Sequence, residues 1–205
     1  MKFAKNFANT IESSWELRTD AWPQYNMPVV YENNGRHTLT SMRWGVWPWY
    51  DNGPKPKTGY VANARDDKLL NSSVWKESAK KRRCLVPADA WLEWTGPKGS
   101  KWEVEFRFKD HRPFWIAGLW SEDPNSQGRG FTLVTTKPNQ LIAALPHDRM
   151  IVILDQQGAE KWMGSQPLPD DELLGLCKPY PETELVREDM PRPQRTKSSS
   201  ADLLL

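Results

Sequence analysis

Apolar and polar positions alternate along "HTLTSMRWGVW" (37–47), a period of two that predicts a strand, stopped by Pro48 and by the Gly/Pro/Lys-rich loop 51–59. Four further strand candidates, "CLVPADAWLEW" (84–94), "KWEVEFRF" (101–108), "PFWIAGLW" (113–120) and "FTLVTT" (131–136), are separated by turn signals at 96–100, 109–112 and 124–130 and read as an antiparallel meander. "RMIVIL" (149–154) adds a strand and "TELVRE" (183–188) an edge strand. Helical spacing predicts a short helix over 11–19, ended before a loop carrying Pro23 and Pro28. A longer helix is predicted over 66–83, with Leu69, Leu70 and Trp75 on one face, acidic residues at its front and a solvated basic end. Two more follow, over 155–163 with Asp155 as cap and over 170–176. The pattern predicts an α+β fold: a largely antiparallel, barrel-like sheet with flanking helices, in a single domain over 1–188. The Pro-, Ser- and charge-rich residues 189–205 read as a disordered tail.

Composition narrows the class. Of 205 residues only 38% are hydrophobic, yet 12 tryptophans supply large apolar surfaces for a core. The formal charge of +2, from 28 basic against 26 acidic residues, gives no global field for nucleic acid or membrane, so any such surface must be local. Cys84 and Cys177 are far apart and follow no metal spacing, which points to free thiols in a reducing compartment and away from zinc. No apolar run is long enough to span a bilayer and the first residues lack a secretory h-region, so the expectation is a cytoplasmic protein with no membrane partner.

Candidate chemistry lies in a few stretches. "LPHDRMIVIL" places His147 and Asp148 in a turn before an apolar strand, where a side chain is held by a rigid element. "GYVANARDD" offers Asn63 and Arg65 on one face of an extended chain, an amide and a guanidinium suited to a carbonyl and a phosphate; the plain alternative is a polar loop. "RWGVWPWYD" gathers Trp44, Trp47, Trp49 and Tyr50, either the edge of a core or stacking faces for single-stranded bases. In "LVPADAWLEW" alternation sets Glu93 beside Trp91 on one face, a position that for an isolated strand is ordinarily open to solvent.

Together "RWGVWP", "NAR", "PADAWLEW", "IAGLW", "LVTT" and "HDRM" occur in the order and approximate spacing of the SOS-response-associated peptidase (SRAP) domain family, which the chain resembles from about 7 to 188. The resemblance implies a protein that attends to abasic sites in single-stranded DNA. Asn63, Glu93 and His147 fall on its supporting catalytic residues. Arg65 and Arg149 fall on phosphate-contacting arginines, Trp49 and Tyr50 on an aromatic wedge, and Thr135 or Thr136 on a hydroxyl that contacts the DNA backbone. Neither cofactor nor metal is implied, and a monomer is expected.

The departures matter equally. The family's nucleophile is a cysteine exposed after removal of the first methionine, whose amine and thiol close a thiazolidine on the sugar aldehyde. Here Lys2 follows Met1, no cysteine precedes Cys84, and Ala4 stands where the family's cysteine would align. The stable crosslink is therefore expected to be lost, leaving a transient imine on the amine of Met1 or Lys2. "NARDD" lacks the Glu-Thr that usually follows "NAR", and Ile151 replaces a proline after "HDRM". Two other readings stand beside this one: a Glu93/His147-dependent hydrolase acting on peptides, and a non-catalytic interaction module.

Overall fold

A computed structural model describes residues 2–13, 21–47, 59–123, 128–164 and 166–190. In chain order the helices are α1 (Lys2–Phe7), α2 (Lys76–Lys81), α3 (Gln140–Ala143), α4 (Gln156–Trp162) and α5 (Asp170–Leu176). The strands are β1 (Thr10–Ile11), β2 (Asn26–Asn33), β3 (Arg36–Trp44), β4 (Asn63–Arg65), β5 (Arg83–Ala88), β6 (Ala90–Thr95), β7 (Trp102–Phe108), β8 (Phe114–Glu122), β9 (Arg129–Thr136), β10 (Met150–Ile151), β11 (Ile153–Leu154) and β12 (Leu185–Asp189). Strands β3-β2-β5-β8-β9 are hydrogen-bonded in that order, and β9 pairs back with β3, so five strands close into a barrel. Strands β12-β7-β6 form a separate three-stranded sheet.

The barrel seam is narrow. It consists of the parallel pairs Arg43↔Gly130 and Trp44↔Phe131, with the Gly45 N–H donating to the Phe131 carbonyl at 2.7 Å. Gly130 is required there, because a Cβ would lie 2.5 Å from the Gly45 carbonyl oxygen.

Side chains of the wall strands divide alternately between two cores. Val30, Leu85, Trp115, Ala117 and Leu119 join the helices through Ala79, Ala159, Trp162 and Leu173. Val29, Tyr31, Cys84, Val86, Ile116 and Phe131 join Trp91, Val104, Phe106 and Phe108 of the small sheet. Both faces of these strands are thus covered, which is why they read as near-continuous apolar runs. The Trp162 indole N–H lies 3.0 Å from the Cys84 carbonyl and 3.3 Å from that of Gly118, pinning α4 across β5 and β8. Trp91 stacks on Phe106 and meets Phe114 edge-on, fastening the small sheet to the start of β8.

Several sequence expectations give way to tertiary context. The stretch 84–94 is two strands in two sheets: β5 runs with β8 through Ala88↔Phe114, then after Asp89 the chain enters β6, where Ala90 pairs with Arg107. The expected meander therefore splits, β6 with β7 and β8 with β9. The single helix over 66–83 is a 3₁₀ turn at Asp66–Lys68 and then α2. Ser72 accepts the Val74 N–H on its Oγ at 3.2 Å, an alternative to helical bonding, while Leu69 and Trp75 remain buried. Its basic end is not all solvated. Arg83 is buried, donating to the carbonyls of Ala79 (3.1 Å), Lys80 (2.9 Å), Trp162 (2.6 Å) and Gly164 (3.2 Å), and so ties the ends of α2 and α4 together.

Ile11, expected to begin a helix over 11–19, instead pairs with Thr10 in a short strand parallel to Thr38 and Leu39, and 14–20 lie outside the described residues. Strand β2 forms where a proline-bearing loop is expected. Pro28 fits because β2 pairs with β5 only at Val30 and Tyr31, so the N–H that Pro28 lacks is not needed there. The expected edge strand is β12, and 191–205 lie outside the described residues. Among the described residues, no helix is long and apolar enough to cross a membrane.

Candidate functional site

Three short strands bring distant motifs into one row. Strand β4 runs parallel to β9, and β10 antiparallel to it on the other side, so Arg65, Thr135 and Ile151 lie side by side. Ala64 is fully buried, which turns its neighbours Asn63 and Arg65 outward to the same exposed face. Thr135 and Thr136 are buried in β9. The Thr135 hydroxyl donates to the Ala64 carbonyl at 3.5 Å and accepts from Arg149 Nε at 3.4 Å. Thr136 Oγ1 lies 2.7 Å from Asp66 Oδ2 and 2.8 Å from the Cys177 carbonyl.

The turn 147–149 then sends three consecutive side chains to three places. His147 Nε2 is 2.7 Å from the Trp94 carbonyl oxygen, which can only accept, so this nitrogen carries a proton. His147 Nδ1 faces Glu93 Oε2 at 3.7 Å. Asp148 stands 3.8 Å from Arg65. Arg149 donates to Asp66 Oδ1 and to the Thr135 carbonyl. Asn139 caps α3 by accepting the Ile142 N–H (3.1 Å), donates its amide to the Tyr180 carbonyl (2.8 Å) and its backbone N–H to Met150 Sδ just past the turn (3.3 Å).

Glu93 and His147 are both mostly buried, with 22% and 25% of their side chains exposed. Burial pushes the Glu93 carboxyl above its ordinary range, and the positive charge available on His147 opposes that rise. With Nε2 already protonated, Nδ1 and the carboxyl face each other as two bases with room for one proton between them, the arrangement of an acid/base pair. Trp94, next in β6, is 40% exposed, and its ring centroid lies 5.9 Å from that of Trp22.

The arginines are not free. Arg65 donates from Nε and Nη2 to the two carboxylate oxygens of Asp67 at 3.1 and 3.0 Å, which holds the Asp67 carboxyl below its usual range. Asp66 and Asp67 are the neighbours of these arginines that sequence reading did not assign, while Asp148 stood beside His147 in the turn already singled out. The signal available was "DD" directly after "NAR", two like charges that need cations nearby. Asp66 and Asp67 also line a cleft of about 550 Å³ together with Lys76, Lys80 and Asp170.

Trp49 and Tyr50, expected as an aromatic wedge, lie outside the described residues. Ala4, expected to stand where the family's cysteine would align, is fully buried in α1, whose Phe3 and Phe7 pack on Trp115. Neither cysteine is suited to attack: both are buried, burial raises the Cys84 thiol steeply, and it pushes that of Cys177 up to about 12. Among the described residues no three His, Cys, Asp or Glu side chains converge to hold a metal.

Residues 1–191 match the family model described as SOS response associated peptidase (SRAP). The chain is 31% identical over 165 residues to abasic site processing protein YoqW of Bacillus subtilis (strain 168), covering 77% of this chain and 71% of the relative. It is 28% identical over 190 residues to abasic site processing protein HMCES of Xenopus tropicalis, covering 77% and 56%. To abasic site processing protein YedK of Escherichia coli (strain K12) it is 27% identical over 150 residues, covering 71% and 64%. Among solved structures, a protein from Bordetella bronchiseptica superposes with a TM-score of 0.74 at 23% identity, covering 91% of this chain and 92% of that one. A protein from Bacteroides thetaiotaomicron gives 0.72 at 24% identity, covering 82% and 75%.

Proposed function

The chain belongs to the SRAP family, and on that premise we propose that it binds single-stranded DNA at abasic sites, with Glu93 and His147 moving protons at the opened sugar. The observation that carries this reading is the Glu93–His147 pair: a carboxyl raised by burial, facing an imidazole whose other nitrogen is fixed on a backbone carbonyl. Asn63 and Arg65 face outward from β4, and Arg149 sits two residues beyond His147. That grouping suits a substrate with an aldehyde at C1′ between two phosphates.

The chemistry assigned to the pair is reversible imine formation. A primary amine of the N-terminal segment, for which Lys2 is exposed on α1, adds to C1′. The N–C1′ bond forms and a carbinolamine results. The protonated Glu93 carboxyl gives its proton to the departing hydroxyl, the C1′–O bond breaks, and water leaves. His147 takes the proton released from nitrogen, and water reverses the sequence.

The test uses an oligonucleotide with one abasic site against its intact counterpart. Anisotropy at increasing NaCl reads binding, and borohydride traps any imine. Expected are a preference for the abasic strand that weakens with salt and an adduct seen only with reductant. Glu93→Gln should slow trapping on the order of 100-fold while binding stays within a few-fold, and Lys2→Arg distinguishes the amines, abolishing trapping where Lys2 reacts and leaving it where the Met1 amine does. Absence of salt-sensitive DNA binding would overturn the reading. A heat-stable adduct formed without reductant would overturn the imine, and peptide cleavage lost in Glu93→Gln would favour a hydrolase.

A further inference from the structure

Phosphate recognition normally draws on arginines with free N–H groups, yet both arginines on this face already hold a carboxylate. Arg65 presents its Nε/Nη2 edge to Asp67 as a two-pronged pair, and its Nη1 to Asp148 at 3.8 Å. Arg149 holds Asp66 Oδ1 through Nη2, and only 16% and 19% of those two side chains are exposed. Three carboxylates therefore surround two guanidiniums. A carboxylate is the shape and charge of a phosphodiester's two free oxygens, and it binds the same edge of the fork.

We propose that Asp66 and Asp67 act as built-in phosphate surrogates: an ionic latch that a DNA phosphate must displace, and that sets how tightly and how selectively this chain grips a strand. The proposal rests on the reading of this face as a DNA site. Asp66 is the stronger arm, because it is the less exposed of the two and its second oxygen is anchored by the Thr136 hydroxyl at 2.7 Å. Displaced carboxylates face a cleft also lined by Lys76 and by Lys80, which already holds Asp170 at 3.4 Å, so Lys76 is the cation nearest to receiving them without a competing carboxylate in that cleft. The exchange replaces one anion with another at each arginine and so yields little net attraction. Undamaged or weakly positioned strands are then poorly held, and a strand that also engages Glu93 and His147 is favoured. Asp66 and Asp67 are thus positioning residues, acting through Arg149 and Arg65.

The test is anisotropy of a labelled single strand carrying a stable abasic analogue, at 50, 100 and 200 mM NaCl, concentrations chosen to span strong and weak screening at Debye lengths on the order of 10 Å. Asp66→Asn keeps the size and most hydrogen bonds of the side chain and removes only the competing charge. Expected is a gain in affinity on the order of five- to tenfold at the lowest salt, the equivalent of one partly buried ion pair, shrinking as salt rises. Asp67→Asn should give a smaller gain through Arg65, and Arg149→Gln should cancel the gain of Asp66→Asn in the double variant. Glu160→Gln, the same charge change on the exposed face of α4, corrects for general electrostatics. A thermal melt checks that each variant folds, and Asp67→Asn stands in if Asp66→Asn does not. Wild-type binding that Asp66→Asn and Asp67→Asn leave unchanged or weaken overturns the latch alone. Binding by none of the proteins overturns the functional reading and the latch with it.

Discussion

Gly130→Ala should open the barrel. A Cβ on Gly130 falls 2.5 Å from the Gly45 oxygen and 3.3 Å from the Gly45 carbonyl carbon and Val46 Cα, all backbone atoms that no rotamer change can move. Restoring ordinary contact at 3.4 Å needs a shift of about 0.9 Å, which would stretch the 2.7 Å bond from Gly45 N–H to the Phe131 carbonyl to about 3.6 Å and break it. Overpacking costs about 1–3 kcal/mol and the lost bond about 1 kcal/mol. The stiffer unfolded chain returns about 0.4–1 kcal/mol. The net destabilisation is about 1–3.5 kcal/mol, or roughly 2–14 °C in Tm for a chain of this size. Thermal melts followed by circular dichroism, with urea unfolding for the free energy, measure it. Gly175→Ala is the matched control: its Cβ meets nothing within 4 Å on α5, so it should stabilise by up to about 1 kcal/mol. A Gly130→Ala protein within about 0.5 kcal/mol of wild type would refute the claim that this glycine holds the seam.

Arg83→Met leaves four carbonyls at the ends of α2 and α4 without their donor, offset in part because burial disfavours the cation it removes; about 2–4 kcal/mol of stability should be lost in urea unfolding, and Arg83→Lys, with one point donor for a fork, should recover only a fraction. The raised Glu93 carboxyl sets a pH signature: the folded state prefers its protonated form, so its stability contribution is complete below the ordinary value of 4.5 and declines as pH rises through the folded-state value. Glu93→Gln carries no such charge and should gain on wild type as pH is raised from 4 to neutrality; a difference independent of pH in urea titrations would count against the buried carboxylate.

The strands outside the barrel wall were legible because they obey a local rule. In β7 the burial alternates along "WEVEFRF", and in β4 Ala64 is buried between two exposed neighbours, as the period of two requires. What escaped depends on neighbours that spacing does not name. Pro28 marks a loop by its own chemistry but sits in β2, because the partner that would need its N–H is paired only at Val30 and Tyr31. Arg83 reads as the solvated end of a basic run, yet the carbonyls that bury it come from α2 and from Trp162 and Gly164, about eighty residues on. The candidate site divides the same way. Asn63, Arg65, Glu93, His147 and Arg149 could be picked out by motif, whereas the carboxylates that hold the arginines became visible only once Asp66 met Arg149, 83 positions away.

The turn that joins these groups links the Glu93–His147 pair to the two arginines. His147, Asp148 and Arg149 are consecutive, and each is anchored on a different element: β6 through the Trp94 carbonyl, β4 through Arg65, and β9 with Asp66 through Arg149. If a phosphate draws Arg149 off Asp66, that anchor of the turn changes. The imidazole then depends more heavily on its 2.7 Å bond to Trp94 and on Glu93. The 3.7 Å spacing between Nδ1 and the carboxylate is longer than a hydrogen bond, so the turn would have to move toward Glu93 before a proton passes directly between them. On the proposed reading, strand binding and acid/base chemistry therefore meet in this one turn, which Asp66 holds through Arg149.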